Sequence, residues 1–109
     1  MLMDNLKIQI FNNEKGLITK LSIGGLLVVE NAQKIKRELV GTLNQLSDSV
    51  EIEINEVDNI DLSFIQLIVS FISQLNEKDI KFKLDWNLDE DQQSLFENVG
   101  LSNELFMNE

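Results

Sequence analysis

The sequence contains no cysteine, no histidine, no tyrosine and no proline. Without cysteine there are no disulfides, no thiolate nucleophile and no Cys-ligated metal. Without histidine there is no imidazole to act as general base or zinc ligand, and a Ser-His-Asp triad is excluded. Without proline, loops must owe their rigidity to packing. Basic residues are scarce as well: 9 Lys and Arg stand against 19 Asp and Glu, a net charge of −10. Nonspecific binding to nucleic acid or to an anionic membrane needs clustered Lys and Arg, so the expected partner is a protein. No apolar run approaches the roughly 20 residues of a membrane span. The opening "MLMDNLKIQIF" has no basic region followed by an apolar core, so a cytoplasmic protein is expected.

What is present suits one core. A chain of 109 residues with 43% hydrophobic content is read as a single domain over residues 1–109. "LKIQI" (6–10), "LITKLSI" (17–23), "VEIEIN" (50–55) and "IKFKLDW" (80–86) alternate apolar and polar residues, the pattern of strands with one buried face. "NNEKG" between the first two is a hairpin turn, with Gly16 suited to positive φ. Three segments carry helical spacing. In residues 29–46, Val29, Ala32, Ile35, Leu39, Leu43 and Leu46 form one apolar stripe. Residues 62–76 form the second helix, and "DEDQQSLFENVG" the third, with acids on its first turn and Gly100 placed to end it. The order ββαβαβα predicts an α/β fold with a mixed four- or five-stranded sheet: an antiparallel hairpin first, then parallel crossovers. Glu51, Glu53, Lys81 and Lys83 occupy every second position of their strands, so the helices are expected on one face only.

Familiar chemical motifs are missing. The pair Gly24–Gly25 lacks the spacing of a dinucleotide or phosphate loop. Glu51, Glu53, Glu56, Asp58 and Asp61 do not follow a calcium-loop pattern, and no metal or cofactor is expected. With only Ser, Lys and carboxylates left and no convergent pair among them, an enzyme is not expected. The informative stretch is "EINEVDNIDLSFIQLIVSFISQL" (53–75), in which an acidic turn opens into a run without charge from Leu62 to Asn76. Asp61 is placed to cap that helix by accepting from the N–H of Ser63 or Phe64, and Ser63 falls in the first turn. Ile65, Ile68, Ile72 and Leu75 form the expected core stripe. Phe64, Leu67 and Phe71 form a second stripe, which either packs under a neighbouring helix or faces a partner as an apolar patch.

Three segments in order resemble the STAS domain family of bacterial anti-sigma factor antagonists. "SIGGLL" is similar to that family's strand-to-loop segment, "EINEVDNIDLSFIQLIV" to its "I-D-S-S-G-L-G" region, and "SLFENVGLSNEL" to its closing "G-L" helix. The resemblance spans nearly the whole chain and implies a non-catalytic regulatory domain. It also implies a serine at the start of the second helix that a kinase partner phosphorylates, releasing that partner. Residue by residue, the motif's aspartate falls on Asp61, its usual acceptor serine on Leu62 and its second serine on Ser63. Phe64 and Gln66 replace its glycines. Leucine accepts no phosphate, so either Ser63 is the acceptor or the domain binds constitutively. The segment "DLSFIQLI" is nearer in style to members associated with chemotaxis-type signalling. The expected partner is an anti-sigma factor, a serine kinase or a chemotaxis-type protein. Its expected contacts are Asp58, Asn59, Asp61, Leu62, Ser63, Phe64, Gln66, Leu67 and Phe71, on the 55–61 loop and the first turns of the 62–76 helix. The competing expectation is an accessory subunit of a transport system, binding a transporter ATPase or a small ligand through the same helix.

Overall fold

A computed structural model describes residues 5–98. The elements run β1 (Leu6–Asn12), β2 (Ile18–Leu27), a short 3-10 helix (Val29–Asn31), α1 (Ala32–Thr42), a second 3-10 helix (Leu43–Gln45), β3 (Leu46–Ile60), α2 (Leu62–Glu77), β4 (Lys81–Trp86) and α3 (Glu90–Asn98). The strands form one sheet in the order β1-β2-β3-β4. β1 pairs antiparallel with β2, while β2–β3 and β3–β4 are parallel. This is the mixed α/β sheet that the element order implied. Gly16 takes a φ of 81° in the hairpin turn, and the side-chain oxygen of Asn13 accepts from the backbone N–H of Lys15 (2.8 Å) and Leu17 (3.1 Å).

Strand alternation sorts the two faces of the sheet. Leu21 and Ile23 of β2, Val50, Ile52 and Ile54 of β3, and Phe82 and Leu84 of β4 are buried, and they share one core with Ile35 and Leu39 of α1 and the inner side of α2. The opposite face is polar. There Lys20 Nζ lies 3.2 Å from Glu53 Oε1 and 5.4 Å from the ring centre of Phe11, and the Ser22 hydroxyl is 3.3 Å from Asn55 Oδ1.

Three elements differ from the sequence expectation by three residues or more. The helix expected over 29–46 is α1 flanked by two 3-10 turns. Val29 is exposed and Leu46 belongs to β3, so neither joins the α1 stripe. The strand expected to end at Ile23 continues through both glycines to Leu27, and the strand expected to end at Asn55 continues to Ile60. The segment 55–60, expected as a loop, is therefore sheet: Gly25 pairs with Val57, Leu26 with Asn59 and Leu27 with Ile60. Register shifts on either side of Gly25 absorb the irregular residues. They are accompanied by positive φ at Gly25 (88°) and Glu56 (51°), the device by which a bulge lets a strand run through poor strand formers. Gly24 and Gly25 are needed there for a second reason. A Cβ at Gly24 would lie 2.0 Å from the Asn55 carbonyl oxygen, and one at Gly25 would lie 2.1 Å from that of Asn5. The expected helix stop at Gly100 lies outside the described residues.

Candidate functional site

β3 delivers the chain to α2 through a single residue, Asp61. Its own backbone is extended (φ −135°, ψ −179°), and its N–H donates to the Leu27 carbonyl (3.1 Å), so it still follows β2. Its carboxylate does two jobs. Oδ1 accepts from the backbone N–H of Ser63 (3.0 Å) and from the Ser63 hydroxyl, which caps α2 as expected from the sequence. Oδ2 accepts from the backbone N–H of Val29 (3.0 Å), which fastens the start of the 3-10 turn before α1 to the start of α2. Nearby, Asn31 Nδ2 donates to the Leu26 carbonyl (2.8 Å), so the 26–31 crossover is held at both ends.

Burial pushes the Asp61 carboxyl up, but the hydrogen bonds from the Ser63 hydroxyl and from the N–H groups of Val29, Ser63 and Phe64 outweigh it. The net effect holds the group below its ordinary 3.8. A carboxyl whose pKa is lowered by folding adds stability above its unfolded value, and loses that contribution as pH falls through the folded value. Asp61→Asn keeps one acceptor oxygen and cannot accept on its amide nitrogen. It is expected to cost about 1–2 kcal/mol at neutral pH. The gap between the thermal melts of the two proteins should begin to narrow as pH falls towards about 4 and close only below the folded value, which lies under 3.8; a gap that persists unchanged into acid would show that the charge is not what stabilises.

The surface around this clasp mixes acidic, amide, hydroxyl, basic and apolar residues. Asp58 and Asn59 are exposed at the end of β3, and Glu56 is exposed with its Oε1 3.1 Å from Lys7 Nζ. Leu62 and Val69 are each 42% exposed on the same helical face, seven residues apart, with the exposed Gln66 between them. Ser63 and Leu67 are half-buried, and with Gln66 they line one wall of an open groove of about 270 Å³ whose other wall is Ala32, Gln33 and Lys36 of α1. Gln92 of α3 donates from Nε2 to the Val57 carbonyl (3.1 Å), which anchors α3 beside the last turn of β3. Asp89 and Gln92 cap α3 reciprocally, with Asp89 Oδ1 accepting from Gln92 N–H (2.8 Å) and Gln92 Oε1 from Asp89 N–H (3.2 Å).

Of the nine residues expected at a partner surface, Asp58, Asn59, Asp61, Leu62, Ser63, Gln66 and Leu67 do gather at the head of α2. Phe64 and Phe71 do not reach it. They are 1% and 4% exposed and belong to the core. Of the second stripe, Phe64 and Phe71 therefore pack inside while Leu67 stays at the groove: buried positions run from Phe64 and Ile65 through Ile68, Phe71 and Ile72 to Leu75, a broad face that draws on both stripes. The sequence reading missed Val69, although its place seven residues after Leu62 was the available signal. It also missed the α1 wall with Lys36 and the bond to Val29, which join residues far apart in sequence. Among the described residues no three carboxylates come together to hold a metal ion, and no described helix is long and apolar enough to cross a membrane.

The STAS domain family model matches residues 9–109. Two solved structures share the fold. One is an anti-sigma factor antagonist from Mycobacterium paratuberculosis, with a TM-score of 0.75 at 12% identity over 94% of this chain and 83% of that one. The other is the Bacillus cell fate determinant SpoIIAA in its phosphorylated form, with a TM-score of 0.62 at 15% identity over 94% of this chain and 91% of that one. No curated protein matches the sequence. A mixed sheet, an aspartate that caps the helix after the third strand, and a family match over nearly the whole length converge on one assignment: the chain belongs to the STAS domain family.

Proposed function

We propose that this domain is a non-catalytic regulatory module that binds a signalling protein of the anti-sigma, serine-kinase or chemotaxis type. Its contact surface is the end of β3 (Asp58, Asn59), the Asp61 clasp and the outer side of α2 (Leu62, Ser63, Gln66, Leu67 and Val69). One observation carries the reading. α2 exposes Leu62 and Val69 on a face that holds no charge from Leu62 to Asn76, in a chain of net charge −10. A helix facing only water gains nothing from such a face, whereas a partner gains apolar area and meets no charge that must be desolvated.

Ser63 is the candidate switch. Its hydroxyl donates to Asp61, whose other oxygen holds Val29. A phosphate there brings about −1.5 to −2 of charge beside that carboxylate. Like-charge repulsion then opens the clasp and moves the 26–31 crossover together with the head of α2. With Leu62 at the family's usual acceptor position, Ser63 is the hydroxyl left at the start of α2. The test is incubation with the cognate kinase followed by intact mass and fragment analysis of wild type and Ser63→Ala. Phosphate on Ser63 alone is expected; no added mass, or mass retained in Ser63→Ala, removes the switch and leaves a constitutive binder.

A further inference from the structure

We infer that the outer edge of β1 is a homotypic interface, on which a second copy of this chain adds its own β1 antiparallel, with the two-fold axis at Ile8. β1 is the terminal strand of the sheet, and among the described residues it pairs only with β2. The Asn5 carbonyl turns inward to accept from Leu26 N–H (2.9 Å). Alternation along an antiparallel ladder then turns the backbone N–H and C=O of Leu6, Ile8 and Ile10 outward.

Edges of this kind are normally blunted by proline, by a charge on the edge or by brevity. β1 is seven residues long and has no proline, and its single charge, Lys7, is taken up in an exposed ion pair with Glu56 at 3.1 Å. It also leaves Ile10 42% and Phe11 44% exposed. Charge points to the same place. The chain carries net charge −10, which opposes self-association over most of its surface, yet no acid occurs from Asn5 to Asn13.

The register follows from self-complementarity, since a two-fold contact must match a strand to itself. With the axis at Ile8, Leu6 faces Ile10 of the second copy and Ile8 faces its own equivalent, so the three apolar residues with outward backbone meet one another, while Phe11 faces Asn5. Lys7 faces Gln9, so no like charges oppose. All three outward residues pair with outward residues and exchange backbone hydrogen bonds. Two four-stranded sheets become one continuous sheet, and the head of α2 is not needed for it.

Sedimentation equilibrium of the full chain, from micromolar to near-millimolar concentration, tests this together with amide hydrogen exchange. The weight-average mass is expected to rise from monomer towards dimer. Ile10→Lys, a change at an exposed position that leaves circular dichroism unaltered, is expected to weaken association about tenfold or more. In the dimer the amides of Leu6, Ile8 and Ile10 should slow, while those of Lys7 and Gln9, already turned to β2, should not change. A monomer at every concentration overturns the inference. So does a dimer whose Leu6, Ile8 and Ile10 amides exchange as in the monomer, because its interface then lies elsewhere.

Discussion

Phe64→Asp is expected to leave no folded domain, whereas Leu62→Asp and Val69→Asp are expected to leave the fold intact and abolish partner binding. Phe64 is 1% exposed. Truncating such a ring costs about 3–5 kcal/mol, and a carboxylate buried without a partner adds several more. A domain of this size has only about 5–15 kcal/mol in total. Leu62, at 42% exposure on the first turn of α2, asks little of the core. An added acid there even suits the helix dipole, so its stability cost should stay within about 0.5 kcal/mol. Thermal melts separate the two classes. Capture of the cognate partner by the folded variants then tests the surface, and full binding by both Leu62→Asp and Val69→Asp would dismiss it.

Gly25→Ala is expected to cost about 3 kcal/mol or more in urea unfolding. Its φ of 88° is a conformation that a side chain resists. The added Cβ would also stand 2.1 Å from the Asn5 carbonyl oxygen. That obstacle is backbone, not the far end of a flexible side chain, so relief requires the start of β1 to move and the Asn5–Leu26 bond to break. Gly41→Ala is the opposite case. Nothing lies within 4 Å of a Cβ there and the residue is helical, so about 0.5–1 kcal/mol of added stability is expected. If the two substitutions had similar effects, the close approach at Gly25 would not be what constrains that position.

The period-2 segments disclosed all four strands, and the order of elements disclosed a mixed sheet, because in both cases the signal is local. Strand ends were hidden where local chemistry misleads. Gly24 and Gly25 read as turn punctuation, and Glu56, Asp58 and Asn59 as loop residues, yet a bulge with two positive-φ residues carries both strands onward. The site was legible in part for a similar reason. Capping by Asp61 acts over two residues and follows from residue type. The second oxygen's bond to Val29 spans 32 positions and follows only from the fold. Periodicity alone could not rank the two stripes of α2. A helix whose buried positions include both Phe64 and Ile65, and both Phe71 and Ile72, needs a wider bed than one sheet face, and α1 supplies the rest of it.

The absence of charge from Leu62 to Asn76 has a further meaning for recognition. Its first turn has no acid, its last turn has no base, and Ile65, Ile68, Val69 and Ile72 are β-branched residues of modest helix propensity. With no ion pairs to hold it, the helix borrows its order from the sheet beneath. An unfolded chain is therefore expected to hold little of this helix, so that the outer face depends on the core. A protein that grips this face reads foldedness as well as identity. Its binding free energy passes undiluted into the stability of the domain, so that engagement registers as a rise in melting temperature that grows with partner concentration.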